Sequence, residues 1–185
     1  QTNMYPKGFQ TTVEVADLSR PLEGRSRPGH FRGVTTVVTK LFHLVQPDIA
    51  YFGQKDAQQA RIVQQLIRDL NFPTRLQVLP TVREPDGLAL SSRNARLPSG
   101  SRRPSRALFE ALQEARRLIQ WGERRGSVVV RRMETLLKRQ PLIKIDYVAL
   151  VDPMTFRTVD RIRGTVWLLL AARVGGVRLI DAEVV

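Results

Sequence analysis

Cysteine is absent from the chain and histidine nearly so, with no Cys and 2 His in 185 residues. No thiols means no disulfide framework, no thiolate nucleophile and no Cys-ligated zinc. Two histidines on their own make a poor zinc set. The lack of cysteine fits a reducing compartment, so a cytoplasmic location is expected. Aromatic residues are sparse at 6%, and they do not interleave with the basic residues as a stacking platform for nucleic acid requires. Long apolar runs are missing too. The longest strongly apolar stretch covers residues 166–172, against the roughly 20 residues of a spanning helix. The opening residues show no charged-then-apolar leader pattern. A soluble protein with no membrane partner is the expectation.

Acid is scarce relative to base. Lys and Arg number 30 against 17 Asp and Glu, for a net charge of +13. Residues 1–92 carry +3 and residues 93–185 carry +10, and 25 of the 30 basic residues are arginine. The arginines are scattered as pairs such as Arg102-Arg103, Arg116-Arg117, Arg124-Arg125 and Arg131-Arg132. That distribution reads as a solvated basic surface, and a nucleic-acid partner is not expected. Hydrophobic residues at 42% are enough for a packed core.

Periodicity divides the chain. Residues 11–15 alternate as a strand does, and residues 16–29 form a loop rich in Gly, Pro, Ser and Arg. Val34, Val37, Val38, Leu41, Phe42 and Val45 recur at helical spacing, and Pro47 ends that helix. Residues 49–52 form a short buried strand. Asp56 is placed to cap a helix whose apolar face is Ala60, Val63, Leu66, Ile67 and Leu70. Residues 75–79 form a further strand. This alternation of strand and helix predicts parallel pairing with crossovers. After Pro80 the character changes. Residues 84–87 carry turn chemistry, residues 105–121 and 127–139 read as helices, and residues 145–151, 165–170 and 176–179 read as a small antiparallel sheet. The expected class is α/β: part of a Rossmann-like domain over residues 1–82, then a small α+β domain over residues 83–185.

Two loops concentrate the chemistry. Phe52-Gly53-Gln54-Lys55-Asp56 follows a strand and opens a helix. Leu88-Ala89-Leu90-Ser91-Ser92-Arg93-Asn94 places two hydroxyls beside a guanidinium. Together they offer phosphates what they need: backbone N–H groups, a point cation, hydroxyl donors and a forked cation. Taken alone, each admits a blander reading, Lys55 as a surface lysine and Ser91, Ser92 and Arg93 as an ordinary polar loop.

The sequence around them narrows the choice. Arg27-Pro28-Gly29-His30-Phe31-Arg32-Gly33-Val34, Val45-Gln46-Pro47-Asp48, the segment from Phe52 through Gln59, the segment from Val82 through Asn94, and Arg178-Leu179-Ile180-Asp181 resemble the pantothenate synthetase (pantoate–β-alanine ligase) family. The resemblance implies a nucleotidyltransferase-type ligase. Such an enzyme joins pantoate to β-alanine with ATP and Mg²⁺ through a pantoyl adenylate, and acts as a homodimer when complete. It implies that Lys55, Ser91, Ser92 and Arg93 are catalytic. ATP would be held by Phe52, Gly53, Gln54, Lys55, Asp56, Pro80, Thr81, Val82, Leu90, Ser91, Ser92 and Arg93, with the adenine edge read chiefly by backbone at Val82 and the ribose by Asp56. Pantoate would meet His30, Val34, Val37 and Gln59. No residue is assigned as a metal ligand.

Several of these positions keep a second reading. His30 suits packing or pocket lining better than metal. Val34 and Val37 also suit a core, and Gln59 a solvated helix face. Gln58 reads as structural, and Asp152, Asp160 and Asp181 read as turn or cap residues. Gly87 offers a hinge.

The family's histidine-bearing segment has no counterpart here, and Ala182 stands where asparagine is usual. The expectation is therefore a C-terminal portion, inactive or weakly active unless complemented by an N-terminal half. Such a portion would leave an unpaired sheet edge and exposed apolar surface. The competing readings are a non-catalytic nucleotide-binding or scaffold chain and, last in order, a basic nucleic-acid-binding module.

Overall fold

The computed structural model describes residues 4–185. They divide into two compact units: one takes the described residues up to Phe52 together with Ala57–Leu79, the other Gly53–Asp56 with Pro80–Val185.

The first unit contains α1 (Glu23–Ser26), α2 (His30–Val45), β1 (Ile49–Gly53), α3 (Ala57–Asp69) and β2 (Arg75–Leu79). Strands β1 and β2 form a two-stranded parallel sheet, and α3 is the connection that parallel pairing needs. Helix α2 begins four residues before the expected start because Gly29, at φ 78°, turns the chain into it. It ends at left-handed Gln46, whose N–H donates to the Phe42 carbonyl, and Pro47 bars continuation. Helix α3 buries Ala57, Ala60, Ile62, Val63 and Leu66 and packs on α2. Leu70, expected on that face, lies beyond the last helical turn and is exposed, while Ile62 takes a fully buried place. The Phe42 and Phe72 rings meet edge-on at 5.3 Å.

Residues 11–15 belong to no ladder among the described residues, which corrects the expected strand. Thr36 Oγ1 accepts from the Val13 N–H at 3.0 Å, and Thr35 Oγ1 donates to the Val13 carbonyl at 2.5 Å. The alternation recorded one half-buried side. A segment lying along a helix satisfies that pattern as well as a sheet strand does. Gln58 is structural, as expected. Its amide donates to the Leu18 and Pro21 carbonyls and accepts from the Glu23 N–H, fixing the loop before α2. Leu44 and Val45 on α2, Tyr51 on β1 and Leu79 on β2 are exposed.

The second unit contains α4 (Arg102–Ser105), α5 (Ala107–Gln120), α6 (Gly126–Lys138) and strands β3 (Ile143–Val151), β4 (Trp167–Val174) and β5 (Val177–Val184). The strands form an antiparallel sheet in the order β3-β4-β5, with Leu150 opposite Leu168 and Leu170 opposite Asp181. Central β4 is buried almost throughout, as a strand paired on both edges and covered by helices must be. Leu108, Leu112 and Ala115 of α5, with Val129, Met133 and Leu137 of α6, pack with Leu150, Leu168 and Leu170 of the sheet. Strand β5 runs to Val184, well past the expected segment, and Gly176 belongs to the turn before it. In that turn Gly175 has φ 55°, and a Cβ there would lie 2.3 Å from Ser101 Oγ. No helix among the described residues is long and apolar enough to cross a membrane.

Leu112→Ala should lower stability by about 2–5 kcal/mol, because it opens a cavity in this helix–sheet core. Leu44→Ala, at an exposed position, should stay within about 0.5 kcal/mol. Urea denaturation followed by circular dichroism checks both. Equal effects would place the main core elsewhere.

Candidate functional site

The residues expected to hold ATP gather in the second unit, apart from Phe52, which is counted with the first. Gly53 ends β1 with open space where a side chain would project, which leaves its backbone approachable. Gln54–Asp56 then form a 3-10 turn. The Lys55 side chain is largely covered, and its ammonium lies 3.1 Å from Asp56 Oδ2. Asp56, expected to cap α3, lies within this turn and faces the lysine. Strand β5 packs beside the turn.

Pro80 and Thr81 lead into a hairpin. Arg83 bridges Ala89, the Leu90 N–H donates to the Val82 carbonyl, and the Glu84 N–H donates to the Leu88 carbonyl. The Gly87 N–H donates to the Glu84 carbonyl at 2.8 Å and closes the turn. Gly87 has φ 90°, and a Cβ there would lie 2.3 Å from the Phe109 ring. Gly87 thus occupies a turn that no residue with a side chain could fill. Beyond the hairpin, Ser91 Oγ accepts from the Arg93 N–H, and the Ser91 carbonyl accepts from the Asn94 N–H. The side chains of Leu90, Ser92 and Arg93 are exposed. A serine-rooted loop presenting a hydroxyl and a guanidinium is thus held firmly at its base and open at its tip.

Charged groups hold that base. Arg102 forks onto Glu84 and Asp86, with its Nη2 2.7 Å from Glu84 Oε2 and its Nε 2.7 Å from Asp86 Oδ2. Asn94 Nδ2 donates to both Glu84 Oε1 and the Ala89 carbonyl. The Arg102 hydrogen bonds hold the Glu84 and Asp86 carboxyls below their ordinary range, and the two carboxylates raise Arg102 in turn.

Arg83 meets Asp181 bidentately at 2.6 and 3.0 Å. Asp181, expected in a turn or cap, is a buried carboxylate within β5, 2% exposed. Burial pushes its carboxyl up from the ordinary value, and the Arg83 hydrogen bonds pull against that. Asp152 does organise a turn, accepting from the Met154 and Thr155 N–H groups. Arg83, Arg102, Phe109 and Asn94 were missed as supports of the site. Arg83 and Asn94 lie inside the quoted motif, but nothing local marks their partners.

The residues expected to meet pantoate lie in the first unit. His30 opens α2, with its Nε2 accepting from Arg27 Nη1 at 2.8 Å and its ring 5.1 Å from Phe31. Val34 and Val37 follow at four- and three-residue steps on the same helix face and are half-buried. Gln59 is half-buried in the first turn of α3, and Phe52 half-buried on β1. Among the described residues no group of three His, Cys, Asp or Glu side chains is placed to hold a metal ion.

The Arg102 cluster predicts an acid-sensitive site. The folded chain binds protons at Glu84 and Asp86 only below their ordinary values of 4.5 and 3.8. The unfolded chain binds more protons in that window. The stability they contribute is therefore complete above those values and is lost as pH falls through the lowered ones. Arg102→Ala should flatten the acid limb of Tm against pH below pH 4.5. An unchanged limb would remove Arg102 as the cause.

Known proteins share this architecture. The family model for Pantoate-beta-alanine ligase matches residues 1–184. Pantothenate synthetase of Moorella thermoacetica is 54% identical over 178 residues, covering 96% of this chain and 63% of its own length. That of Thermotoga neapolitana is 51% identical over 178 residues, covering 96% and 64%. The chain thus spans just under two thirds of the length of these relatives. The crystal structure of pantothenate synthetase from Thermus thermophilus superposes with a TM-score of 0.94 at 43% identity, covering 98% of this chain and 66% of that one. Pantoate-beta-alanine ligase from Francisella tularensis, complexed with Beta-gamma ATP and Beta-alanine, gives a TM-score of 0.65 at 30% identity, covering 98% and 61%. With a match along nearly its whole length in both sequence and fold, the chain belongs to the pantoate-beta-alanine ligase family.

Proposed function

We propose that this chain carries the phosphate, adenine and pantoate-binding parts of a ligase that joins pantoate to β-alanine at the expense of ATP. The observation that carries the reading is the pairing, within one compact unit, of the covered Lys55 turn with a rooted Ser91-Ser92-Arg93 loop. In the reaction a pantoate carboxylate oxygen attacks the α-phosphorus of ATP. The bond to pyrophosphate breaks, and pantoyl adenylate forms. The amine of β-alanine then attacks the acyl carbon, AMP leaves with the carbon–oxygen electron pair, and the amine gives up a proton.

Catalysis of this kind is alignment plus charge stabilisation. Lys55 neutralises charge as pyrophosphate departs, Ser91 and Ser92 donate hydroxyls to the phosphates, and Arg93 clamps two oxygens. Asp56 takes the ribose hydroxyls. The backbone at Phe52, Gly53, Gln54 and Leu90 approaches the nucleotide, and that of Pro80, Thr81 and Val82 reads the adenine edge. Thr81 Oγ1 is buried without a hydrogen-bond partner, an orphan that a base edge would satisfy. His30, Val34, Val37 and Gln59 serve pantoate, the valines against its methyl groups and the glutamine at its polar end. Mg²⁺ would come with the nucleotide and would offset the charge of its phosphates.

The reading includes a complementing half. Exposed Tyr51 and Leu79 stand on a sheet that has two strands among the described residues, Leu44 and Val45 of α2 are exposed as well, and the relatives are longer than this chain. We expect little pyrophosphate release from ATP, Mg²⁺, pantoate and β-alanine with the chain alone. Release should rise when the N-terminal half of a complete homologue is added. Lys55→Ala should then lower it by about 10²–10³-fold, on the scale of losing one transition-state donor. No release from the folded, complemented chain would leave a nucleotide-binding remnant as the better reading.

A further inference from the structure

The ion pair joining Arg83 to Asp181 spans 98 positions and touches none of the residues assigned to substrate. Its guanidinium is engaged through both terminal nitrogens and through one face. One edge meets both oxygens of Asp181, Nη1 also donates to the Gly87 carbonyl at 3.1 Å, and the face lies 4.3 Å from the Phe109 ring centroid. Arg83 thereby closes the hairpin from inside. Its backbone bridges Ala89, and the loop of Ser91, Ser92 and Arg93 begins two residues later. The other end of the pair is equally committed. The Asp181 side chain is 1% exposed and accepts a further hydrogen bond from the Ala182 N–H. It stands on β5, the strand that packs beside the turn carrying Lys55.

We propose that Arg83 and Asp181 are a positioning pair that sets the serine–arginine loop and the Lys55 turn in one fixed relation. The proposal rests on the ligase reading for its purpose and on geometry alone for its existence. A lysine and a loop cation that must follow the same phosphates need a common anchor, since a shift of about 1 Å in a reacting geometry can cost 10²-fold in rate. One buried carboxylate provides that anchor. It fixes the hairpin through the guanidinium, and it fixes β5, and so the lysine turn, through the sheet. Lysine cannot replace Arg83, because a point charge cannot meet two carboxylate oxygens, a carbonyl and a ring face together.

Amide hydrogen exchange read by mass spectrometry tests this on the chain as it stands. The variants are Arg83→Lys, Asp181→Asn and the milder Phe109→Leu, which keeps an apolar side chain under the guanidinium. The expected result is faster exchange, by about tenfold or more, in peptides covering both 53–57 and 82–94, with α6, which carries none of the substitutions, unchanged as internal reference. Acceleration in only one segment, uniform acceleration along the chain, or none would overturn the proposal. Phe109→Leu carries the test if the two charge variants do not fold. In the complemented assay the same variants should raise KM for ATP and lower kcat while leaving KM for pantoate unchanged, a split that loss of folded protein cannot produce. If Lys55→Ala has no effect in that assay, the ligase reading fails, and the exchange result still decides the anchor.

Discussion

A carboxylate cannot sit inside a protein without a partner, and Asp181 sits deep inside this one. That single requirement organises the second unit. Asp181 faces Leu170 across the β4–β5 ladder, so slipping the register of β5 by one residue would swing its charge to the opposite face of the sheet. Its partner must arrive from elsewhere in the chain, and it arrives as Arg83, which brings the hairpin with it. Hydrophobic burial under α5 and α6 makes the sheet stable. The ion pair makes its attachment to the hairpin specific.

The large arginine excess looks different once the pairings are in view. Arg102 serves Glu84 and Asp86, Arg116 serves Glu183, and Arg117 and Arg132 share Glu114. Arg178 meets Asp146. Much of the basic content is therefore engaged with the scarce acid of the same unit. Arginine suits this use because its planar fork answers both oxygens of a carboxylate. In water-exposed positions such pairs contribute little to stability. Their value lies in fixing which segment meets which.

The fold was legible in the sequence where one period dominated. Helices α2, α3, α5 and α6 and strands β1 and β2 follow from apolar spacing and from Pro and Gly punctuation, and a separate α+β segment follows from the change after Pro80. Residues 11–15 misled because a half-buried extended segment alternates whether its hydrogen bonds go to a strand or to the threonines of a helix. Leu70 misled because periodicity continues on paper after the helix has stopped. Asp181 misled most: it stands beside Arg178, Leu179 and Ile180 in a short polar-apolar mixture that resembles a strand end, and its partner lies 98 residues away. Local patterns record what a residue is next to in the chain, so Lys55 and the serine loop were readable and the groups that hold them were not.

The Gly175 turn has a bearing on how the molecule can be altered. Tips of two-residue hairpins are usual places to insert a tag, a probe or a fused domain. Here Gly175, the first residue of the tip between β4 and β5, lies against Ser101 and Pro98, too close to admit even one methyl group, while Gly176 beside it is open. A side chain placed at Gly175 would push against the start of α4 and, through Arg102, against the carboxylates at the root of the serine loop. Gly164, where a side chain would meet open space, is a port through which this unit can be extended.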